Sequence, residues 1–181
     1  RVNVVERNQA NDTFGFGVVF SDETLENIAA ADPKTYEAIA SNFAHWDDID
    51  VHYQGEILRS KGHGFAGLSR QRLLELLQLR CRELGVELEF EREIADLSDL
   101  GDVDMIVAAD GLNSSLRKRH ESHFKTKVDF RPNRFTWLGT TKRFPAFTFY
   151  FNENEHGLWQ VHAYNYEDGL STFIVETDEV T

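Results

Sequence analysis

The sequence has little cysteine, little positive charge and no long apolar run, and each shortage excludes a class of protein. A single cysteine, Cys81, excludes an internal disulfide and fits a reducing compartment, so we predict a cytoplasmic protein. The 31 acidic residues outnumber 19 basic ones, and the resulting net charge of −12 argues against a nucleic-acid partner. No apolar run approaches the roughly 20 residues of a membrane span, so we expect neither a membrane segment nor a signal peptide.

Metal ligands in a recognisable arrangement are also missing. His120 and His123 could share a helical face, but no cysteine or inward carboxylate completes a ligand set around them. His156 and His162 flank a predicted strand and have no evident partner for a catalytic triad. We therefore predict neither a metal site nor nucleophilic catalysis, and the sequence leaves the catalytic residues unknown.

Three stretches have the signals of helices. Ser21 or Asp22 can cap the first, Pro33 stands in the first turn of the second, and the third extends from Ser69 to just before Gly85. The period of the third helix predicts a buried stripe formed by Leu73, Leu74, Leu77, Cys81 and Leu84.

Strand patterns occupy much of the remaining sequence. The predicted strands are residues 1–6, 50–53, 56–59, 86–90, 92–97 and 103–108. Beyond about Lys125 aromatic residues become dense and alternate, and Asp168-Gly169 is a strong hairpin signal, which together predict an antiparallel sheet with one buried face. The fold class is therefore α/β.

The stretch from Asp104 to Arg117 combines a predicted strand, a turn and a helix start. Its almost wholly apolar first half predicts a strand buried on both faces in a parallel sheet, and Asp110-Gly111 ends that strand before a helix. Backbone N–H groups at a helix start favour an anion, and a carboxylate such as Asp110 suits a sugar or ribityl hydroxyl. Asp-Gly after a strand is also a common turn, so both interpretations stay open at this point.

The spacing of this stretch resembles a known motif. Asp110 and Gly111, followed by Ser114 and Arg117, are similar to the Asp-Gly motif of FAD-dependent aromatic monooxygenases, the flavoprotein hydroxylases related to para-hydroxybenzoate hydroxylase. In that family the motif lies beside the FAD and is implicated in binding flavin and NAD(P)H. The resemblance implies FAD and NAD(P)H as cofactors, with Asp110 and Gly111 as cofactor-binding residues.

Two further residues match this family at positions that approach the cofactor. Glu6 ends the first predicted strand, where a dinucleotide-binding unit places an acidic residue on the adenosine ribose. Arg70 begins a stretch that resembles the family's Arg-x-x-Leu helix start, whose Arg approaches the FAD. The resemblance implies that both bind FAD. Without it, Glu6 is a surface charge at a strand end and Arg70 an exposed first-turn residue.

Glycines raise two further points. The chain has no Gly-x-Gly-x-x-Gly turn before Glu6, and we interpret the similarly spaced Gly62, Gly64 and Gly67 as a loop. The glycine-laced stretch 14–20 resembles a family loop near flavin and substrate, but a tight bend in a core explains it equally well. We expect a fragment of a longer protein that binds FAD weakly or not at all and is inactive alone.

The C-terminal part narrows the resemblance. Residues 131–142 and 145–151 look like hydroxylases that act on aromatic acyl-CoA thioesters of the salicylyl-CoA or aminobenzoyl-CoA type. The resemblance implies a parent enzyme in which NAD(P)H reduces FAD and one oxygen of O₂ enters the ring. The alternative is a non-catalytic α/β module that binds an acyl-CoA or a partner; a flavin halogenase would need a catalytic Lys, which we do not locate.

The domain organisation also follows from the resemblance. It implies a partial Rossmann-like FAD-binding domain, formed by residues 1–46 and 63–124, and a substrate domain with an antiparallel sheet. Residues 47–62 would give the substrate domain a hairpin, and residues 125–181 its incomplete sheet. The strand of Glu6 and the strand at 103–108 are expected in one parallel sheet, with their C-terminal ends on the same side.

Overall fold

The computed structural model describes residues 1–179 and 181, which form two compact units. The first unit consists of Arg1–Ala10 and Gly85–Arg131, and the second consists of Asn11–Leu84 and Pro132–Thr181. These units do not coincide with the domain segments predicted above, and the functional assignment of those segments stays a prediction.

Strands outnumber helices in the described residues. The strands are β1 (Asn3–Val5), β2 (Gly17–Ser21), β3 (Ala44–Trp46), β4 (Ile49–Tyr53), β5 (Glu56–Ser60), β6 (Phe65–Ser69), β7 (Glu87–Glu89), β8 (Asn133–Thr140), β9 (Phe147–Asn154), β10 (Gly157–Glu167) and β11 (Leu170–Asp178). The helices are α1 (Asp22–Ala31), α2 (Pro33–Ala40), α3 (Arg70–Glu83), α4 (Ser115–Arg119) and α5 (Glu121–Phe124). The predicted α/β class is confirmed.

In the first unit β1 pairs in parallel with β7, but the predicted strand at residues 103–108 is wrong. Among the described residues none pairs with this segment, and Met105 and Val107 are each 78% exposed. An apolar run becomes a strand only when a neighbour completes its backbone hydrogen bonds. The expected parallel sheet that joins the strand of Glu6 to residues 103–108 is therefore wrong as well.

The predicted strand at residues 92–97 is also wrong. A 3₁₀ turn occupies Leu97–Leu100, and Asp96 caps it: its carboxylate accepts from the Ser98 backbone N–H at 3.0 Å. The Asp99 carboxylate accepts from the Asp96 backbone N–H at 2.9 Å and completes a capping box. Aspartates that bond nearby backbone groups favour turns over strand ladders, which explains the difference.

In the second unit the predicted helix starts are confirmed. The side chain of Ser21 caps α1, Pro33 opens α2, and the Ser69 side chain accepts from the Arg72 backbone N–H at the start of α3. The three helices pack with β2 and β6 around a core formed by Leu25, Ile39, Ala66, Leu68 and Leu76.

The stripe predicted for α3 is only partly right. Leu73 packs against this core, but Leu77 is 38% and Leu84 60% exposed, while the buried residue is Leu76. The buried face of α3 is rotated from the predicted one because the helix contacts the core through Leu73 and Leu76. The salt bridge between Arg80 and Asp32, which lies between α1 and α2, is on this same face of the helix.

Two sheets complete the second unit. The larger has the order β5-β4-β9-β10-β11-β8, and its pairs are antiparallel except that β4 and β9 run parallel. The predicted C-terminal antiparallel sheet is confirmed. The hairpin predicted within residues 47–62 is confirmed as well, formed by β4 and β5, and its turn residues Gln54 and Gly55 both have positive φ angles.

The smaller sheet has the order β2-β6-β3 and contains Gly67, so the interpretation of this glycine as part of a loop is wrong. A Cβ atom on Gly67 would lie 2.3 Å from the backbone oxygen of Asn165 in β10. The glycine therefore permits the close approach of two strands.

Candidate cofactor-binding site

The Asp-Gly motif forms a loop that caps its own helix. The Asp110 carboxylate accepts hydrogen bonds from the Ser114 side chain and from the backbone N–H groups of Leu116 and Ser115, which lower the pKa of Asp110. The sequence predicted that this helix start favours an anion, and within the described residues Asp110 itself supplies that negative charge. Its role at the helix start was not predicted from the sequence.

The rest of the motif holds the same loop. Ser114 is buried, and its hydroxyl accepts from the Arg117 backbone N–H at 2.9 Å. The Arg117 guanidinium donates to the carbonyl oxygen of Gly111 at 3.0 Å and to that of Leu112. Gly111 has φ +78°, which the turn requires and a glycine adopts without strain. The spacing of Asp, Gly, Ser and Arg is thus explained by contacts within the loop.

Glu6 directly follows β1, and its backbone forms hydrogen bonds with residues in and just after β7. Its N–H donates to the Glu89 carbonyl oxygen at 2.8 Å, and its own carbonyl accepts from the Arg92 N–H at 3.1 Å. The half-buried side chain accepts from the backbone N–H of Asn8 at 2.8 Å. The carboxylate is therefore held at a strand end by backbone contacts, and its ribose-binding role stays a prediction.

Arg70 belongs to the second compact unit, whereas Glu6, Asp110 and Gly111 belong to the first. It is the first residue of α3, and its backbone N–H donates to the Phe16 carbonyl at 2.9 Å. Its guanidinium carbon lies 5.6 Å from the centroid of the Trp137 ring, a distance typical of a cation–π contact.

The Arg70 side chain is not exposed, contrary to the alternative interpretation of a first-turn surface residue. Its Nε atom is buried and has no hydrogen-bond partner among the described residues. A buried donor without a partner costs about 1–3 kcal/mol. This donor therefore fits an anionic or carbonyl group of a bound cofactor, which would supply the missing acceptor.

The glycine-laced stretch before β2 packs onto β8. Gly15 has φ +75°, and a Cβ atom there would lie 2.9 Å from the indole of Trp137. A Cβ atom on Gly139 in β8 would lie 2.9 Å from the Phe16 ring, so Phe16 packs on this backbone, while Phe14 is 76% exposed. The backbone of this stretch therefore closely approaches Trp137, the residue that also contacts Arg70.

A row of side chains crosses the larger sheet on the face that carries Trp137. Successive cross-strand pairs join five residues of five strands, which we call the central row: Val51, Phe149, His162, Ile174 and Trp137. Each is partly buried. Burial lowers the pKa of the His162 imidazole, and the nearby Glu176 carboxylate opposes that shift. This row was not predicted from the sequence, although the alternation of Phe147, Phe149 and Phe151 indicated the face.

Two kinds of site receive no support from the described residues. No group of three or more His, Cys, Asp or Glu side chains is placed to hold a metal ion. No helix in residues 1–179 is long and apolar enough to cross a membrane.

The sequence is similar to parts of aromatic monooxygenases. It is 47% identical over 177 residues to salicyloyl-CoA 5-hydroxylase of a Streptomyces species, covering 98% of this chain and 34% of that protein. It is 34% identical over 167 residues to 3-hydroxy-4-methyl-anthranilyl-[aryl-carrier protein] 5-monooxygenase of Streptosporangium sibiricum, covering 92% of this chain and 47% of that protein. The chain thus spans between a third and a half of these relatives. No protein-family model matches it.

Solved structures share the fold. 2-Methyl-3-hydroxypyridine-5-carboxylic acid oxygenase superposes with a TM-score of 0.79 at 14% identity, over 98% of this chain and 52% of that one. PqsL of Pseudomonas aeruginosa, described as a probable FAD-dependent monooxygenase, gives 0.70 at 16% identity, over 98% of this chain and 54% of that one. At these identities the likeness establishes the fold, which is the one that the resemblance implied.

Proposed function

Since this chain is homologous to a segment of aromatic monooxygenases, we propose that it is part of a FAD- and NAD(P)H-dependent hydroxylase of an aromatic acyl-CoA. The 47% identity to salicyloyl-CoA 5-hydroxylase, which extends over nearly the whole chain, carries this proposal. The proposed substrate is a salicyloyl-CoA or aminobenzoyl-CoA type thioester, into whose ring one oxygen atom of O₂ is inserted. A cytoplasmic location belongs to the same proposal.

Four residues are proposed to bind FAD, each for a local reason. Arg70 offers a buried donor without a partner in the described residues. Glu6 offers a carboxylate at a strand end, suited to the hydroxyls of the adenosine ribose. Asp110 and Gly111 offer a carboxylate and a turn backbone that the loop holds in place. When bound and reduced, the flavin supplies the redox chemistry that activates O₂.

The proposed role of the residues in this chain is to bind and orient the cofactor and the aromatic ring of the substrate. A positive charge stacked on an indole keeps its direction, so Arg70 can hold a negatively charged or carbonyl group at a fixed place. An apolar, aromatic sheet face suits a planar ring and excludes water from it. The central row provides such a face in the second unit.

The proposal is tested with the full-length protein that contains these residues. Purified protein should retain FAD, and salicyloyl-CoA should stimulate oxidation of NADH or NADPH and gain one oxygen atom, detected by mass spectrometry. Free salicylate is the control for the thioester, and a salicyl group on a carrier protein tests the kind of substrate named for the Streptosporangium relative. Thioester binding without flavin reduction would instead favour the non-catalytic acyl-CoA module.

Arg70 gives a second test that separates binding from folding. Arg70→Met keeps an unbranched stem against Trp137 but removes the donor, so we expect apo-protein melting at or above the parent's temperature. FAD affinity should fall about tenfold or more, and Arg70→Lys should recover part of it because it restores charge without the planar fork. Unchanged FAD affinity in Arg70→Met would contradict this role.

A further inference from the structure

His162 is the one imidazole in the central row, and its four companions there are Val51, Phe149, Ile174 and Trp137. We propose that His162 accepts the hydrogen bond, and then the proton, of the hydroxyl group on the aromatic ring of the substrate. The inference rests on the proposed function, and it adds the residue that orients and activates the ring.

The position of His162 within the sheet supports this role. It stands on β10, flanked by β9 and β11, directly opposite Phe149 on one side and Ile174 on the other. The Phe149 and His162 rings meet edge to face, with centroids 6.1 Å apart. A planar ring that lies along this row contacts apolar side chains at each neighbouring position and one polar group at the centre.

The imidazole is also chemically available. It makes no hydrogen bond to any described residue, so a ligand hydroxyl would not have to displace an existing partner. Its pKa lies below the ordinary 6.5 because burial disfavours the charged form. A neutral imidazole has one free lone pair, so at neutral pH it is ready to accept a hydrogen bond from a hydroxyl, and the Glu176 carboxylate favours the imidazolium that a subsequent proton transfer forms.

The other polar groups near His162 do not compete for this role. The Tyr164 hydroxyl, two residues along the strand, donates to the Gly17 carbonyl oxygen at 3.1 Å, and burial raises its pKa, so it stays protonated and does not act as the base. Gln160, two residues in the other direction, has an amide that does not take up protons near neutral pH. Glu176 on β11 pairs with Gln160 and accepts from the Asn133 side chain at 2.8 Å, and its charge would stabilise the imidazolium formed by the transfer.

The proton balance of this step is simple. The ring O–H bond breaks, its proton moves to the free imidazole nitrogen of His162, and the electron pair stays on the ring oxygen. The resulting phenolate is richer in electrons at the ring carbons ortho and para to it, which favours attack on an electrophilic oxygen there. The same transfer leaves an imidazolium beside the phenolate, and this ion pair fixes the orientation of the ring.

The test compares two ligands that differ by the hydroxyl alone, salicyloyl-CoA and benzoyl-CoA. Full-length parent protein and the variants His162→Phe, His162→Gln and His52→Phe are titrated with each, with quenching of tryptophan fluorescence as the readout. His52 is the matched control, because it lies in the same sheet and its ring contacts that of Tyr150 on the opposite face. Bound salicyloyl-CoA is also followed by its phenolate absorbance as the pH changes.

We expect the parent and His52→Phe to bind salicyloyl-CoA more tightly than benzoyl-CoA. In His162→Phe the ratio of these two affinities should be about tenfold smaller. His162→Gln should keep a hydrogen bond but form no phenolate near neutral pH. In the parent the phenolate should appear at lower pH for bound than for free ligand. This last measurement decides the question even where the variants fail to fold.

An unchanged preference in folded His162→Phe, or a phenolate midpoint in the parent equal to that of the free ligand, would overturn the inference alone. A parent that binds both thioesters equally would have the same consequence. A parent that binds neither thioester would instead refute the proposed function, and the role of His162 with it.

Discussion

Asp110→Ala in the full-length protein separates the two interpretations of the Asp-Gly motif. The substitution removes the carboxylate that accepts from the Ser114 side chain and from the backbone N–H groups of Ser115 and Leu116. It therefore deletes a helix cap, whatever its effect on a cofactor. If Asp110 also binds FAD, one charge-assisted hydrogen bond to the flavin is lost in addition.

The two losses have different magnitudes. A missing helix cap costs about 1 kcal/mol, and we expect the lower end of the measured range because Asp110 is exposed to solvent. A hydrogen bond from a flavin hydroxyl to the carboxylate contributes about 1.5–3 kcal/mol, which corresponds to about a ten- to hundredfold change in FAD affinity. The flavin effect should therefore exceed the stability effect.

Ser114→Ala is the matched control, because it weakens the same cap and leaves the carboxylate in place. Thermal melting of the apo proteins and FAD titration by flavin fluorescence measure the two effects separately. We expect both variants to melt at lower temperature and only Asp110→Ala to lose FAD affinity. Equal FAD affinity in Asp110→Ala and the parent would refute cofactor binding by Asp110 and leave it the role of shaping the turn.

Two further predictions concern stability. The Arg80 guanidinium and the Thr35 hydroxyl lower the pKa of Asp32 to about 2. The stabilisation of the fold by ionised Asp32 is therefore complete above the pKa of Asp32 in the unfolded chain, and it is lost as the pH falls towards 2. Asp32→Asn should melt below the parent near neutral pH, and the difference should shrink in acid; a constant difference would contradict the ion pair. Gly67→Ala should lose about 1–3 kcal/mol or fail to fold, because its Cβ meets the Asn165 oxygen, whereas the Cβ of Gly62→Ala meets no atom within 4 Å and brings only the strain of a φ of +81°. Urea unfolding compares the two, and equal losses would contradict the close-approach argument.

The sequence by itself determined the features that depend on near neighbours along the chain. The Ser21 and Ser69 side chains cap their helices through backbone groups three residues away, so the residue pattern alone predicts the helix starts. The hairpin at Gln54-Gly55 follows from the positive φ angle that Gly55 adopts without strain. Four residues at motif spacing, Asp110, Gly111, Ser114 and Arg117, were enough to indicate the monooxygenase relatives.

Tertiary structure decided whatever depends on a partner far away in the chain. Residues 103–108 are apolar enough for a strand but pair with no described neighbour, and Gly67 lies in β6 because β10 approaches its backbone. His162 faces Phe149 and Ile174 only because three strands align in register. A backbone ladder forms between segments distant in sequence, so the local pattern supplies the side chains while the pairing decides which of them share a face.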